Sequence, residues 1–426
     1  MALELQSRTR EGRRRPGGRM LFLLGPAFVA SIAYVDPGNV AANITAGARF
    51  GYLLVWVLVA ANAMAMLVQY QSSKLGLVTG RTLPELIGER LGTTGRRAFW
   101  IQAEAVAAAT DIAEVIGGAV ALNLLFGLPL FVGGVIVGIV SMLLLALQSQ
   151  SGQRSFEAVI MALLAIITIG FVAGMFVSPV DWPAAAGGLL PRFSGAETVL
   201  LAASMLGATV MPHAIYLHSS LARDRHGVSN DPGRVLRLVR ASRWDVVIAL
   251  VIAGAVNIAM LLLAAASLGS GRAGTGAGSS AIDTSTIEGA HTAVTSSLGP
   301  VIGAAFAIGL LASGLASTSV GSYAGAVIMS GLLKVRIPLL VRRVVTLIPA
   351  LIILAVGIEP TWALVLSQVF LSLGIPFAVI PLIRLTGDRT LMGVHVDAWW
   401  TRVVAWISAT MIVVLNAALI VLMIVQ

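Results

Sequence analysis

The chain alternates between long apolar stretches and short polar connections along nearly its whole length. The apolar stretches run to about 20 residues or more, which is the length at which a helix crosses roughly 30 Å of hydrocarbon. No stretch shows the alternating polarity of a barrel strand, so the backbone polar groups must be satisfied within helices. The pattern predicts an all-α integral membrane protein. Its eleven transmembrane helices are expected at approximately 21–46, 51–73, 98–126, 129–148, 156–178, 197–222, 244–269, 299–333, 339–357, 360–383 and 398–425.

Composition supports the membrane class. Of 426 residues, 58% are hydrophobic and 11% are charged, whereas soluble domains carry roughly 25% charged residues. The chain has no cysteine, which excludes disulfides and thiolate metal ligation. The first apolar stretch is too polar at its centre for a signal peptide, so we expect it to stay in the mature protein as span 1.

Basic residues set the predicted orientation. They concentrate in the tail at 1–19 and in the connections after spans 2, 6 and 8, whereas the alternate connections, which follow the odd-numbered spans, hold only Arg49, Arg192 and Arg272. The positive-inside rule therefore places the N-terminus in the cytoplasm and the C-terminus outside. With eleven spans, every connection lies on the side of the membrane that its content of basic residues predicts. We expect the basic tail at 1–19 to contact anionic lipid and not nucleic acid. The stretches 179–191 and 269–291 are predicted to be external loops without a catalytic or binding site.

Two spans carry polar or helix-breaking residues at their centres. The motifs are Asp36-Pro37-Gly38-Asn39 in span 1 and Met211-Pro212-His213 in span 6. A carboxylate at the bilayer centre costs about 2.5–3.5 kcal/mol on insertion scales, so it requires a partner or a cavity. Each proline also frees the carbonyl four residues earlier from its helical hydrogen bond, at Ala33 and at Ala208. Both helices are therefore predicted to be broken around a buried site.

The atoms at the two breaks form a candidate metal site. They are the Asp36 carboxylate, the Asn39 amide oxygen, the carbonyls of Ala33 and Ala208, and the Met211 thioether. Oxygens alone would suit magnesium or calcium, whereas a thioether favours manganese, iron, cobalt or cadmium. Ordinary core packing is the alternative role for Met211.

The positions of the breaks also indicate a repeat. Spans 1 and 6 would begin two five-span units, about 20–178 and 197–383, and an odd number of spans gives the units opposite orientations. This is the LeuT-type 5+5 inverted repeat with discontinuous helices 1 and 6. The transporter core would cover 20–383, and 398–425 would be an extra C-terminal transmembrane helix.

These motifs resemble the Nramp (MntH) family of proton-coupled manganese and iron transporters. The segment Gln102–Glu114, Asn257 and Ser367-Gln368 also fit, and the resemblance covers about residues 20–425. It implies that Asp36, Asn39, Met211 and the Ala208 carbonyl bind the metal, with the Ala33 carbonyl and Gln368 as ligands or close neighbours. Because relatives without the methionine are associated with magnesium or aluminium, Met211 implies a transition-metal member. Span 8 departs from the family pattern, since it lacks the glutamines found in many relatives around Gly314 and Gly325.

A possible proton path lies in span 3, where Glu104, Asp111 and Glu114 share one helix face. Acid chains in transporter cores commonly relay protons, and the matching acids of the family look proton-linked. The alternative is a set of structural ion pairs with Arg342 and Arg343. His213 either titrates near neutral pH or is a neutral core histidine. The other histidines, His218, His226, His291 and His395, are expected to have no chemical role.

The sequence therefore predicts a proton-coupled secondary transporter that imports Mn²⁺, Fe²⁺ and also Cd²⁺ or Co²⁺. It would act as a monomer in a bacterial-type cell membrane, with the metal ion and the proton as substrates and no resident cofactor. A sodium-coupled amino-acid transporter would not place Asp36 against a substrate carboxylate. A channel would need stacked carbonyls or charged rings that are not visible. An intramembrane enzyme is disfavoured because no nucleophile is paired with a base and no His-Glu-x-x-His motif occurs.

Overall fold

The computed structural model describes residues 25–151, 153–268, 286–335 and 337–425. The predicted tail at 1–19 and the loop segment 269–285 lie outside these residues. Within them, all regular structure is helical. The helices are α1 (Pro26–Ile32), α2 (Pro37–Phe50), α3 (Val55–Thr79), α4 (Leu83–Arg90), α5 (Thr93–Phe126), α6 (Leu130–Ser151), α7 (Gln153–Val177), α8 (Trp182–Gly187), α9 (Ala196–Thr209), α10 (Pro212–His226), α11 (Pro232–Leu268), α12 (Ile287–Leu298), α13 (Pro300–Leu333), α14 (Leu339–Val356), α15 (Pro360–Thr386), α16 (Arg389–Met392) and α17 (Trp399–Val425).

The helical membrane fold is confirmed. Eight helical segments in the described ranges are long and apolar enough to cross a membrane, and two shorter apolar helices cover Pro26–Val35 and Leu130–Ala146. The count of eleven spans stays a prediction, as do the repeat boundaries at 20–178 and 197–383 and the separate status of 398–425.

Span 1 is interrupted where its sequence requires it. Helix α1 tightens into a 3₁₀ turn at Ala33–Val35, and Asp36 is extended with φ −80° and ψ 167°. Pro37 then occupies the first position of α2, where its missing N–H costs nothing. Span 6 breaks in the same way, because Val210 and Met211 leave the helical region and Pro212 begins α10.

Glycines let the central helices approach the break of span 1. Helix α5 packs along α13, and α15 lies against both α5 and α9. A β-carbon on Gly117 of α5 would collide with the Pro37 ring, and one on Gly314 of α13 would meet the Glu114 carbonyl oxygen at 3.0 Å. The span 8 departure from the family pattern therefore falls on a helix that approaches α5 closely.

Both predicted external loops contain helical structure. Helix α8 lies within 179–191 and is capped by Asp181, which accepts a 3.0 Å hydrogen bond from the Ala184 N–H. Helix α12 begins inside the stretch that was expected to remain a loop up to His291, and Thr286 caps it by accepting a 3.0 Å bond from the Gly289 N–H. The expectation of irregular loops missed these helices because short capped helices leave little periodicity to detect.

Candidate metal site between the broken helices

Asp36 is fully buried and organises the break in span 1. Its Oδ1 accepts hydrogen bonds from the Asn39 backbone N–H at 2.8 Å and from Asn39 Nδ2 at 2.7 Å. The carboxylate therefore acts as the N-cap of α2, where the helix dipole stabilises negative charge. The break orients Asp36 instead of leaving it as an isolated charge.

Asn39 joins the two broken helices. The same Nδ2 that contacts Asp36 also donates a 2.8 Å hydrogen bond to the carbonyl oxygen of Ala208. That carbonyl is free because Pro212, four residues later, has no N–H. Thr209 donates a longer bond, 3.4 Å, to Asn39 Oδ1. Two predicted metal-binding oxygens thus converge on one partially positive amide group, at the place where a cation would neutralise them.

Span 10 closes the site through Gln368. A β-carbon on Gly38 would collide with the Gln368 side-chain amide and would lie 3.2 Å from Asp36 Oδ2. A β-carbon on Gly207 would meet the Gln368 carbonyl oxygen at 3.1 Å. The absence of side chains at these two glycines therefore allows Gln368 to approach both broken helices.

The remaining donor atoms suit a cation. Asp36 Oδ2 and Gln368 Oε1 are buried and have no hydrogen-bond donor within the described part of the chain. Buried carboxylate oxygens without a donor are costly, so the arrangement favours a bound cation or a proton. Met211 is fully buried at the first position before α10 and belongs to the same apolar cluster as Ala33. Met211 therefore lies in the break of span 6, and Ala33 begins the 3₁₀ turn at the break of span 1.

No group of three or more His, Cys, Asp or Glu residues that would hold a metal occurs among the residues that the structure describes. The site instead combines one carboxylate with amide and carbonyl oxygens and a thioether. Such a set leaves a divalent ion partly uncompensated and favours release over tight storage.

The span 3 acids meet two buried arginines of α14. Arg342 Nη2 donates a 2.5 Å hydrogen bond to Glu104 Oε1, and Arg343 Nη1 lies 3.6 Å from Asp111 Oδ1. Arg343 and Asp111 are both fully buried, and Arg343 Nε also donates to the Ser141 hydroxyl at 2.8 Å. The ion pairs expected as the alternative to a proton relay therefore exist, one at Glu104 and one at Asp111.

Glu114 lies between the buried ion pairs of span 3 and the break of span 1. Both of its carboxylate oxygens are buried without a hydrogen-bond donor in the described ranges. A β-carbon on Gly321 would lie 3.1 Å from Glu114 Oε2 and 3.3 Å from Asp111 Oδ1, so this glycine of α13 faces both acids. Gly117, one turn beyond Glu114 on the same helix face, packs against Pro37. Glu114 is therefore the span 3 acid nearest along the helix to the candidate metal site.

His213 points toward span 3. Its Nδ1 lies 3.4 Å from the hydroxyl of Thr110, the residue before Asp111, and its Nε2 has no partner among the described residues. The histidine is 1% exposed, and this placement is compatible with either role expected from the sequence.

A second polar chain was missed by the sequence analysis. His218 is buried, and its Nδ1 lies 2.8 Å from Gln69 Oε1; Gln69 Nε2 in turn donates a 2.5 Å hydrogen bond to the Tyr34 hydroxyl. Asn257 Nδ2 donates a 2.7 Å bond to the Tyr34 carbonyl oxygen. These residues hold the 3₁₀ turn before Asp36. The spacing of His213 and His218 on α10 indicates two neighbouring histidines, but it gives no indication of the partners Gln69, Tyr34 and Asn257.

Comparison with known proteins gives a consistent result. A family model described as "Nramp: Natural resistance-associated macrophage protein-like" matches residues 27–422. The chain is 60% identical over 400 residues to the divalent metal cation transporter MntH of Mycobacterium tuberculosis, covering 94% of this chain and 91% of that one. It is 46% identical to the protein of the same name from Bacillus subtilis, over 96% and 94% of the two chains.

Solved structures agree. The crystal structure of the Eremococcus coleocola manganese transporter, in complex with an aromatic bis-isothiourea substituted compound, superposes with a TM-score of 0.84 at 32% identity and covers 96% of this chain and 88% of that one. The nucleobase-cation-symport transporter Mhp1 superposes with a TM-score of 0.62 at 14% identity, over 93% of this chain and 91% of that one. At that identity the second likeness concerns the fold alone, which is the LeuT-type plan expected from the two breaks.

Proposed function

The chain belongs to the Nramp family. From this premise we propose that it imports divalent transition metal ions, Mn²⁺ and Fe²⁺ foremost, together with protons and without catalysing a reaction. The name of its mycobacterial relative and that of the manganese transporter with the same fold support this substrate class. The protein spans the cell membrane several times, and the distribution of arginines supports a cytoplasmic N-terminus and an external C-terminus.

The observation that carries the proposal is the convergence of Asp36 Oδ1 and the Ala208 carbonyl on the Asn39 amide. A divalent ion entering from outside would displace the amide nitrogen from these oxygens. Rotation of the amide would then offer Asn39 Oδ1 as a further ligand, with the Met211 thioether, the Ala33 carbonyl and Gln368 completing the set. The thioether favours transition metals over calcium and magnesium.

Proton transfer would begin at Asp36, which gives up a proton or its hydrogen bonds when the metal arrives. Glu114 and then Asp111 would pass the proton on, and the Arg343 and Arg342 pairs would stabilise the charges of Asp111 and Glu104. His213 contacts the same stretch through Thr110 and would adjust its hydrogen bonding. The helix breaks at Pro37, Gly38 and Pro212 would allow α1 and α10 to swing as the site opens to the cytoplasm.

Manganese uptake into proteoliposomes tests the proposal. We expect wild type to accumulate Mn²⁺ with simultaneous acidification of the lumen, and Asp36→Asn to abolish both. Asp388→Asn, at the partly exposed N-cap of α16, is the matched control and should transport like wild type. Equal uptake by Asp36→Asn and Asp388→Asn would overturn the assignment of Asp36 as a ligand.

A further inference from the structure

An elongated apolar groove lies on the outside of the helix bundle, away from the metal site. It has a volume of about 850 Å³ and follows one face of α17 from Trp399 to Leu415, with Trp56 and Phe193 contributing from α3 and from the segment before α9. From Trp399 to Leu415 the helix rises about 24 Å, which is most of the roughly 30 Å hydrocarbon thickness. The groove is therefore long enough to hold an extended acyl chain.

Aromatic residues mark both ends of this groove, which we call the α17 groove. Trp399 and Trp400 begin α17 and are 75% and 57% exposed, as expected for residues at a membrane–water interface. At the other end Trp56 packs edge-on against Phe193, with ring centroids 5.5 Å apart. The groove thus runs between two aromatic belts along the lipid-facing side of the protein.

Within the described ranges Arg402 is the one cationic residue that lines the groove, and it lies at the Trp399 end. Arg402 lines the groove in the first turn of α17, with its Nε near Gly387, where a β-carbon would lie 3.3 Å away. Among the ion pairs of the described residues none includes Arg402. In contrast, Arg90 near the same end of the bundle pairs with Asp388 at 2.8 Å. The N-terminus of α17 adds further positive potential, so this end of the groove favours an anion.

We propose that the α17 groove binds one anionic phospholipid, with an acyl chain along the groove and the phosphate at Arg402. With the orientation given under the proposed function, this lipid belongs to the cytoplasmic leaflet, which carries the anionic headgroups. A second copy of the chain fits the groove less well. Helix α17 contains no Asp or Glu, so the same face of a partner would leave Arg402 without a counter-charge.

Native mass spectrometry of the full chain, purified in mild detergent, tests this proposal with dioleoyl-phosphatidylglycerol and dioleoyl-phosphatidylcholine as probes. We expect one phosphatidylglycerol to bind preferentially. Arg402→Gln should weaken that binding roughly fivefold, the effect of about one basic residue near an anionic surface. Arg389→Gln removes the same charge from exposed α16, outside the groove, and should bind phosphatidylglycerol like wild type.

A groove-filling variant separates the alternatives. Thr410 lines the groove, and Thr410→Trp should reduce binding of the lipid while Mn²⁺ uptake stays at the wild-type level. Equal phosphatidylglycerol binding by Arg402→Gln and Arg389→Gln would overturn the proposal, as would equal binding of both lipids by wild type. A dimer mass that disappears in Thr410→Trp would show that a second copy of the chain occupies the groove instead.

Discussion

The side-chain amide of Asn39 donates a 2.8 Å hydrogen bond to the carbonyl oxygen of Ala208, and this bond links the broken part of span 1 to the broken part of span 6. It connects residues that are 169 positions apart in the chain. The Ala208 carbonyl is free to accept it because Pro212, four residues later, has no N–H. The two helices are therefore coupled at the atoms that are proposed to bind the metal.

Replacing Asn39 with alanine should damage transport more than stability. Asn39→Ala removes a proposed ligand and the side-chain bonds to Asp36 and Ala208, each worth about 0.5–1.5 kcal/mol net. We expect Mn²⁺ uptake to fall by about tenfold or more, which corresponds to about 1.4 kcal/mol. Asn123→Ala is the control, since Asn123 Nδ2 also donates a 2.8 Å bond to a backbone carbonyl, that of Leu128, at the end of α5. Comparable uptake by the two variants would contradict the role of Asn39.

Adding a methyl group at Gly38 should close the metal site. The Gly38→Ala side chain would occupy the space of the Gln368 amide and would crowd Asp36 Oδ2. Overpacking of this kind typically costs 1–3 kcal/mol, so isothermal titration should show weaker Mn²⁺ binding. Gly92→Ala provides the comparison, because Gly92 has φ −66° and no atoms within 4 Å of a new β-carbon. If Gly38→Ala binds Mn²⁺ as tightly as Gly92→Ala, Gln368 does not closely border the site.

Neutralising the span 3 acids should uncouple protons from metal. With Asp111→Asn or Glu114→Gln, the proposed proton route from Asp36 loses a carboxylate, so Mn²⁺-driven acidification of proteoliposomes should drop to background. Glu197→Gln serves as the control, because Glu197 is an exposed acid that pairs with Arg49. Unchanged metal-driven proton flux in both span 3 variants would show that the proton takes another route.

Arg343 should contribute strongly to stability. It is fully buried beside Asp111, and removing one member of a buried ion pair costs about 3–5 kcal/mol because the other charge stays buried and unpaired. Arg343→Gln should therefore lower the temperature of thermal unfolding in detergent. Arg49→Gln, which breaks an exposed pair, should change the free energy of unfolding by no more than about 1 kcal/mol. Similar unfolding temperatures for the two variants would argue against a buried pair.

Much of the architecture follows from short-range features of the sequence. Long apolar stretches predict the helices, and the midspan Asp36 and Pro212 predict breaks because their physical consequences are local. The all-helical membrane fold and the family are confirmed. The proposed roles of the individual site residues remain predictions.

The missed features depend on distant partners. Gln69 and His218 meet across 149 residues, and Asn257 reaches the Tyr34 carbonyl across 223; neither pairing leaves a trace in local periodicity. Helix α11 also begins at Pro232, well before the predicted 244, because its first turns are polar and a hydropathy window does not register them. Contacts between distant residues, such as Gln69 with His218, cannot be inferred from the spacing of residues along the sequence alone.

The central claim is that the Met211 thioether selects transition metals at a site between the broken helices. Competition assays in proteoliposomes test it most directly, by measuring Mn²⁺ uptake in the presence of excess Ca²⁺ or Mg²⁺ for wild type and Met211→Ala. Met260→Ala is the control, since Met260 is equally buried in the same apolar cluster. We predict that wild type and Met260→Ala ignore the competitors, whereas Met211→Ala is inhibited by them. If Met211→Ala discriminates as well as wild type, Met211 only packs the core and the claim is wrong.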